Sequence, residues 1–173
     1  PDAARFGVDQ PVYAWAAHTV TLLIAAAAAV QFAVSFGPGV RTEPVTGRVF
    51  VLLSRDSTPE PRFQGGTLGA NAPFFGRDVS QLAPGHVVII DADTPGFPFA
   101  RLRDIPPGEY YAQAVLSVYT EFHRADGHTI WAHMDQWEGQ HPMSSPGNLM
   151  SRIKHVRLTS GGGTIRLDLT DII

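Results

Sequence analysis

Between Glu121 and His141 the chain gathers four of its seven histidines, His123, His128, His133 and His141, with the acids Glu121, Asp126, Asp135 and Glu138. Imidazole nitrogens and carboxylate oxygens are the ligands that zinc and similar ions take from proteins. Asp126-Gly127 lies between two extended segments and predicts a tight hairpin, which would set His123 and His133 across from one another, close enough to share a cation. The candidate ligand set is therefore His123, His128, His133, His141, Asp135 and Glu138. Neither HExxH nor a His-x-His pair with a partner acid is present, so the spacing itself names no metal. The competing expectation is an exposed hairpin and loop whose His and Trp side chains give half-buried cover, with no cofactor.

The same region holds Tyr119, Phe122, Trp131 and Trp137. Aromatic rings on a loop-rich edge could stack on sugars or on a partner protein, and packing beneath the hairpin is the structural alternative. Ser160-Gly161-Gly162-Gly163 lacks the Lys-Ser/Thr and following helix of a phosphate cradle and reads as a hairpin turn. None of the nine serines sits in Gly-x-Ser-x-Gly, and no strand-turn-helix context exposes one as a nucleophile. With no cysteine in the chain, a thiol nucleophile, a thiolate metal site and a disulfide framework are excluded. No catalytic residue is assigned.

Composition narrows the class further. The net charge is -3 and the pI about 6.2, with Lys and Arg scattered, which argues against nucleic acid as a partner. Fourteen prolines, 17 glycines and only 17% charged residues suit a loop-rich β protein better than a helical bundle.

The elements that would hold these residues centre on Leu102 to Tyr119, LRDIPPGEYYAQAVLSVY. Pro106-Pro107-Gly108 reverses the chain, and then Tyr110, Ala112, Ala114, Leu116 and Val118 alternate with Tyr111, Gln113, Val115, Ser117 and Tyr119. Large groups on both faces predict a central strand. Tyr110, with Tyr111 as the alternate, is placed to bury its ring and return its hydroxyl to the turn backbone. Further strands are expected at Gly47 to Ser54, within Ala72 to Val79, at His86 to Asp91, on either side of Asp126-Gly127, at Arg152 to Leu158 and at Thr164 to Leu169. Short strands between turns, with no amphipathic helix, predict an all-β, antiparallel sandwich over 47–173.

Residues 1–46 read as a leader, a hydrophobic helix and a linker. Thr19 to Phe36 is almost wholly apolar or small, without a polar helical face. Its length just reaches the ~20 residues of a membrane span. An export signal has a shorter apolar core and a positive n-region, for which Arg5 is the only basic residue ahead, and a buried helix of a soluble domain is the third reading. The expectation is a signal or membrane anchor through 19–36, ended by the breaker-rich Gly37 to Thr46.

SRDSTPEPRFQ (Ser54 to Gln64), PFFGRDVSQLAPG (Pro73 to Gly85), the LRDIPPGEYYAQAVLSVY stretch, FHRADGHTIW (Phe122 to Trp131), MDQWEGQ and SPGNL (Ser145 to Leu149) together resemble the N-terminal region of exported bacterial esterases. In that family, of enterochelin-esterase or esterase D type, an immunoglobulin-like sandwich precedes an α/β-hydrolase domain. The likeness covers about Gly47 to Ile173, and the hydrolase serine, histidine and acid have no counterpart among these residues. The resemblance implies an Ig-like accessory module that positions or shields a hydrolase domain present in cis or in trans, and export to the periplasm or the extracellular space. Two other functions stay open on the residues alone: a metal-dependent enzyme using the 121–141 cluster, and a carbohydrate- or protein-binding module using Trp131 and Trp137.

Overall fold

The structure, a computed structural model, describes residues 29–65, 72–133 and 141–173. Ten strands form one continuous sheet: β1 (Val30–Phe36), β2 (Val45–Ser54), β3 (Phe74–Leu82), β4 (Val88–Ile90), β5 (Gly96–Phe97), β6 (Gly108–His123), β7 (Thr129–His133), β8 (Leu149–Ser151), β9 (Lys154–Leu158) and β10 (Gly163–Ile172). A four-residue helix, α1 (Pro61–Gln64), and a short 3-10 turn at Leu102–Asp104 interrupt them. The main path runs β4-β1-β10-β8-β6-β2-β3-β5, with β7 and β9 also on β6, and the sheet curls into a half-barrel. All pairings are antiparallel except β1 on β10.

The β-rich expectation holds. In place of two separately bonded layers, the sheet folds over on itself and buries one face as a single core that includes Phe32, Phe36, Phe75, Ile90, Leu116 and Leu169. Arg77 of β3 draws the two flanks together, donating from Nη1 to the Ile89 carbonyl at 2.8 Å and from Nη2 to Asp91 at 3.1 Å.

The hydrophobic N-terminal segment needs a correction. Val30–Phe36, the end of the run read as a helix, is a strand, and it joins the sheet ahead of residue 47, where the sequence reading begins the domain. The reason is period: Phe32, Val34 and Phe36 alternate inward, while Gln31 and Ser35 bond outward to Thr164 and Asp168 of β10. A paired strand satisfies both sets, whereas a helix would keep Phe32 and Phe36 on one face and turn Val34 to the other. Residues 19–28 lie outside the described residues. Among the described residues no helix is long and apolar enough to cross a membrane.

β6 is the long central strand that the sequence predicts. It bonds β2 along Tyr111 to Val118 on one side, and β7, β8 and β9 pair with successive stretches of it. Tyr110 is 4% exposed, and its hydroxyl donates to the Pro106 carbonyl at 2.8 Å, closing the expected corner. Gly108 supports the reversal with φ +149, a conformation open mainly to glycine. The Ser160 to Gly163 segment is a turn, closed by Gly162 N–H to the Thr159 carbonyl, but it does not make a hairpin. The strands on either side take different partners, β9 on β6 and β10 on β1 and β8, so it is a corner between parts of the sheet.

Candidate functional site

Strand alternation puts Tyr110, Ala112, Ala114 and Leu116 of β6 into the core, and so aims Gln113, Val115, Ser117 and Tyr119 at the outer face. That face is not bare. Leu52, Gln113, Val115 and Ser117 are all at most 2% exposed, beneath a cap formed by residues 56–65 and 141–148.

Buried polar groups hold the cap down. The Gln113 side-chain amide donates to Glu60 at 2.9 Å and to the Ser151 carbonyl at 3.2 Å, and its oxygen accepts the Arg62 backbone N–H at 3.1 Å. Arg62 donates from Nε to Glu60 at 2.8 Å and from Nη1 to the Met143 carbonyl at 2.7 Å, joining the two loops. Hydrogen bonds from Gln113 and then from Arg62 hold the Glu60 carboxyl below its ordinary range. Asn148, 1% exposed, accepts from Val118 N–H at 2.8 Å and donates to the Pro142 carbonyl at 2.7 Å. Ser54, Ser145 and Ser151 are buried donors in the same layer: Ser54 to Gln64, Ser145 to the His141 carbonyl and Ser151 to the Arg152 carbonyl.

The hairpin forms at Asp126-Gly127 as expected, yet its register separates the imidazoles. Tyr119 faces His133 and Thr129 faces His123, so the two histidines are four residues apart along the ladder, about 13 Å at strand rise. His123 turns to Thr129 and Glu121, and His128 to Asp126 in the turn. His141 stands in the second cap loop. Asp135 and Glu138, with Trp137, lie outside the described residues. Among the described residues no three His, Asp or Glu side chains gather as a metal-binding group.

His133 meets Ser117, the Nδ1 and Oγ atoms 2.9 Å apart. This pair has the composition of a nucleophile and base without the geometry. Ser117 is 1% exposed in mid-strand, where no substrate carbonyl can reach it, and no acid in the described residues orients the ring.

The predicted aromatic surface divides. Tyr119 and Trp131 share the outer face, Trp131 standing opposite Glu121 at 42% exposure, while Phe122 pairs with Ile130 on the opposite face. Burial, then the neighbouring Asp78, pushes the Tyr119 phenol above its usual value.

A larger aromatic group, not anticipated from the sequence, lies further along the outer face. Phe50 of β2, Phe74 of β3 and Phe97 of β5 form a row, with ring centroids 6.3 and 6.2 Å apart and planes inclined by 67° and 42°. Phe63 of α1 and Met143 of the second loop join Phe50, Phe74, Leu52 and Arg62 in lining a cleft of ≈ 610 Å³. Gly76 leaves room for Arg48 to reach across this face to Asp78 at 2.8 Å, since a Cβ there would press on Arg48 and on the Phe50 ring. One signal in the sequence was available: Phe50 and Phe74 have the opposite strand parity to the core residues Val49, Val51 and Phe75.

No family model, curated protein or solved structure matches this chain.

Proposed function

We propose that this chain is a non-catalytic accessory β module of an exported esterase, Ig-like in kind, that packs on an α/β-hydrolase domain in cis or in trans and positions or shields its site. The observation that carries the reading is the aromatic outer face, where Phe63 and Phe97 are 52% and 50% exposed beside a layer of loops fixed by buried hydrogen bonds. Apolar rings presented on a rigid support suit protein contact. The engagement of Ser54, Ser117, Ser145 and Ser151 in structural hydrogen bonds supports a role without a nucleophile. The likeness of Ser54 to Gln64 and Leu102 to Tyr119 to the esterase N-terminal region supplies the partner class. Delivery to the periplasm or the extracellular space belongs to the same proposal. Because β1 begins at Val30, a signal or anchor would draw on residues ahead of it.

The test is co-expression of the full chain with an α/β-hydrolase domain encoded in frame with it or beside it. A one-to-one complex on size exclusion, lost on Phe63→Glu with Phe97→Glu, is expected, while the chain alone leaves p-nitrophenyl esters at the buffer rate. Separate elution, or ester hydrolysis by the chain that a single serine change removes, would overturn the proposal.

A second reading, carbohydrate or protein recognition at the hairpin, is favoured by Trp131 on the same face as Tyr119. A polysaccharide-induced change in tryptophan emission that Trp131→Ala abolishes would support it, and an indifferent spectrum counts against it.

A further inference from the structure

The cleft over Phe50 and Phe74 carries more chemistry than a docking face requires. Its ≈ 610 Å³ falls within the span of small-molecule sites. The Phe50 and Phe74 rings meet at 67°, so they make a slot and not the flat platform that stacks on a sugar. Leu52, Phe63, Pro142 and the Met143 thioether add apolar wall that favours an aromatic guest, with His141 and Ser144 also on the lining.

Arg62 supplies the cationic donor on the lining. Its guanidinium lies over the Phe63 ring, 4.0 Å from the centroid, with Nε on Glu60 and Nη1 on the Met143 carbonyl. Nη2 makes no hydrogen bond among the described residues, which leaves donor capacity at the cleft wall. The Glu60 carboxylate, 2.8 Å from Nε, already balances the guanidinium charge. A second carboxylate would meet Glu60 as a like charge, whereas a neutral oxygen acceptor would not.

We propose that this cleft binds a small neutral aromatic compound bearing a carbonyl oxygen, the ring held among Phe63, Phe74 and Met143 and the oxygen accepting from Arg62 Nη2. The site needs no partner domain. Its failure and the failure of hydrolase docking are therefore separate results.

The test uses the full chain with N-methylbenzamide, benzoate and ethylbenzene as probes, followed by saturation-transfer and amide chemical-shift NMR. N-methylbenzamide should bind about tenfold more tightly than either of the other two, as one hydrogen bond to a charged donor implies. Phe63→Ala, at a ring 52% exposed, should weaken all three probes. Arg62→Gln should erase the difference between N-methylbenzamide and ethylbenzene. Trp131→Ala, outside the cleft, should change nothing. Absence of binding at millimolar probe, tighter binding of benzoate than of the amide, or shifts centred on the β6–β7 hairpin would each overturn the assignment.

Discussion

Arg55 lies over the ring of Tyr110, its Cζ 3.8 Å from the centroid, while its Nη2 donates to that tyrosine's own hydroxyl at 2.8 Å. The same guanidinium reaches the Glu109 carbonyl through Nη1 at 2.7 Å. One cation thus binds the face of the ring, its polar tip and the start of β6, and the hydroxyl passes the chain on to Pro106. A Cβ at Gly108 would come within 2.6 Å of Arg55 Nη1, so the glycine serves this contact as well as the turn.

Removing the Tyr110 hydroxyl is expected to destabilise the fold by about 1–2 kcal/mol, because two hydrogen bonds are lost while the ring remains. Tyr110→Phe, Arg55→Ala and the double variant, compared by urea denaturation, should show coupling. The double variant should cost less than the sum of the singles, and strict additivity would count against the contact.

Gln113→Leu should be more damaging, by about 2–3 kcal/mol. It strands the Arg62 N–H and the Ser151 carbonyl beneath the cap and deprives Glu60 of a donor. Amide exchange should report the loss first in 60–65. An unchanged denaturation midpoint would mean that the cap contributes little to stability.

Gly47→Ala and Gly96→Ala should each lower stability by more than about 2 kcal/mol. A methyl group at Gly47 would overlap the Ser117 carbonyl, and one at Gly96 would overlap the Phe74 carbonyl and the Phe75 ring. Gly127→Ala meets open space but is held at φ +83, so its cost should be smaller and conformational. Thermal melts of the three variants give the ranking.

Acid should weaken the fold in a defined way. The Glu60 carboxyl is held low by Gln113 and Arg62, and that of Asp91 by Thr94 with help from Arg77. A lowered folded value means that stability is fully present above the ordinary carboxylate range and is lost as pH falls through the lowered values. Denaturation midpoints should hold near neutrality and drop below about pH 4. Glu60→Gln should flatten that drop, and a slope identical to the parent's would remove Glu60 from the explanation.

Much of the strand plan was legible from local pattern. Tyr110 to Val118 alternates with period two, Pro106-Pro107-Gly108 can only turn, and Asp126-Gly127 selects a hairpin; all three are short-range constraints. Val30 to Phe36 misled because an apolar run satisfies helix and strand equally until a partner appears, and the partner, β10, is about 130 residues away. The histidines misled for a related reason. Asp126-Gly127 predicts a hairpin, but which residues face each other depends on how many residues the loop takes, and the observed register moves His123 and His133 apart.

The sequence by itself determined that this is a β protein with a central strand at Tyr110 to Tyr119, a tyrosine-closed corner and no thiol chemistry, because residue type and spacing act over a few positions. Only the tertiary structure decided that Phe50, Phe74 and Phe97 form a row on one face and that Phe63, carried by the Arg62-anchored cap, lines a cleft with Phe50 and Phe74. Those residues come from three strands and a helix, and the register and curl that bring them together are set by long-range pairing, which no local stretch encodes.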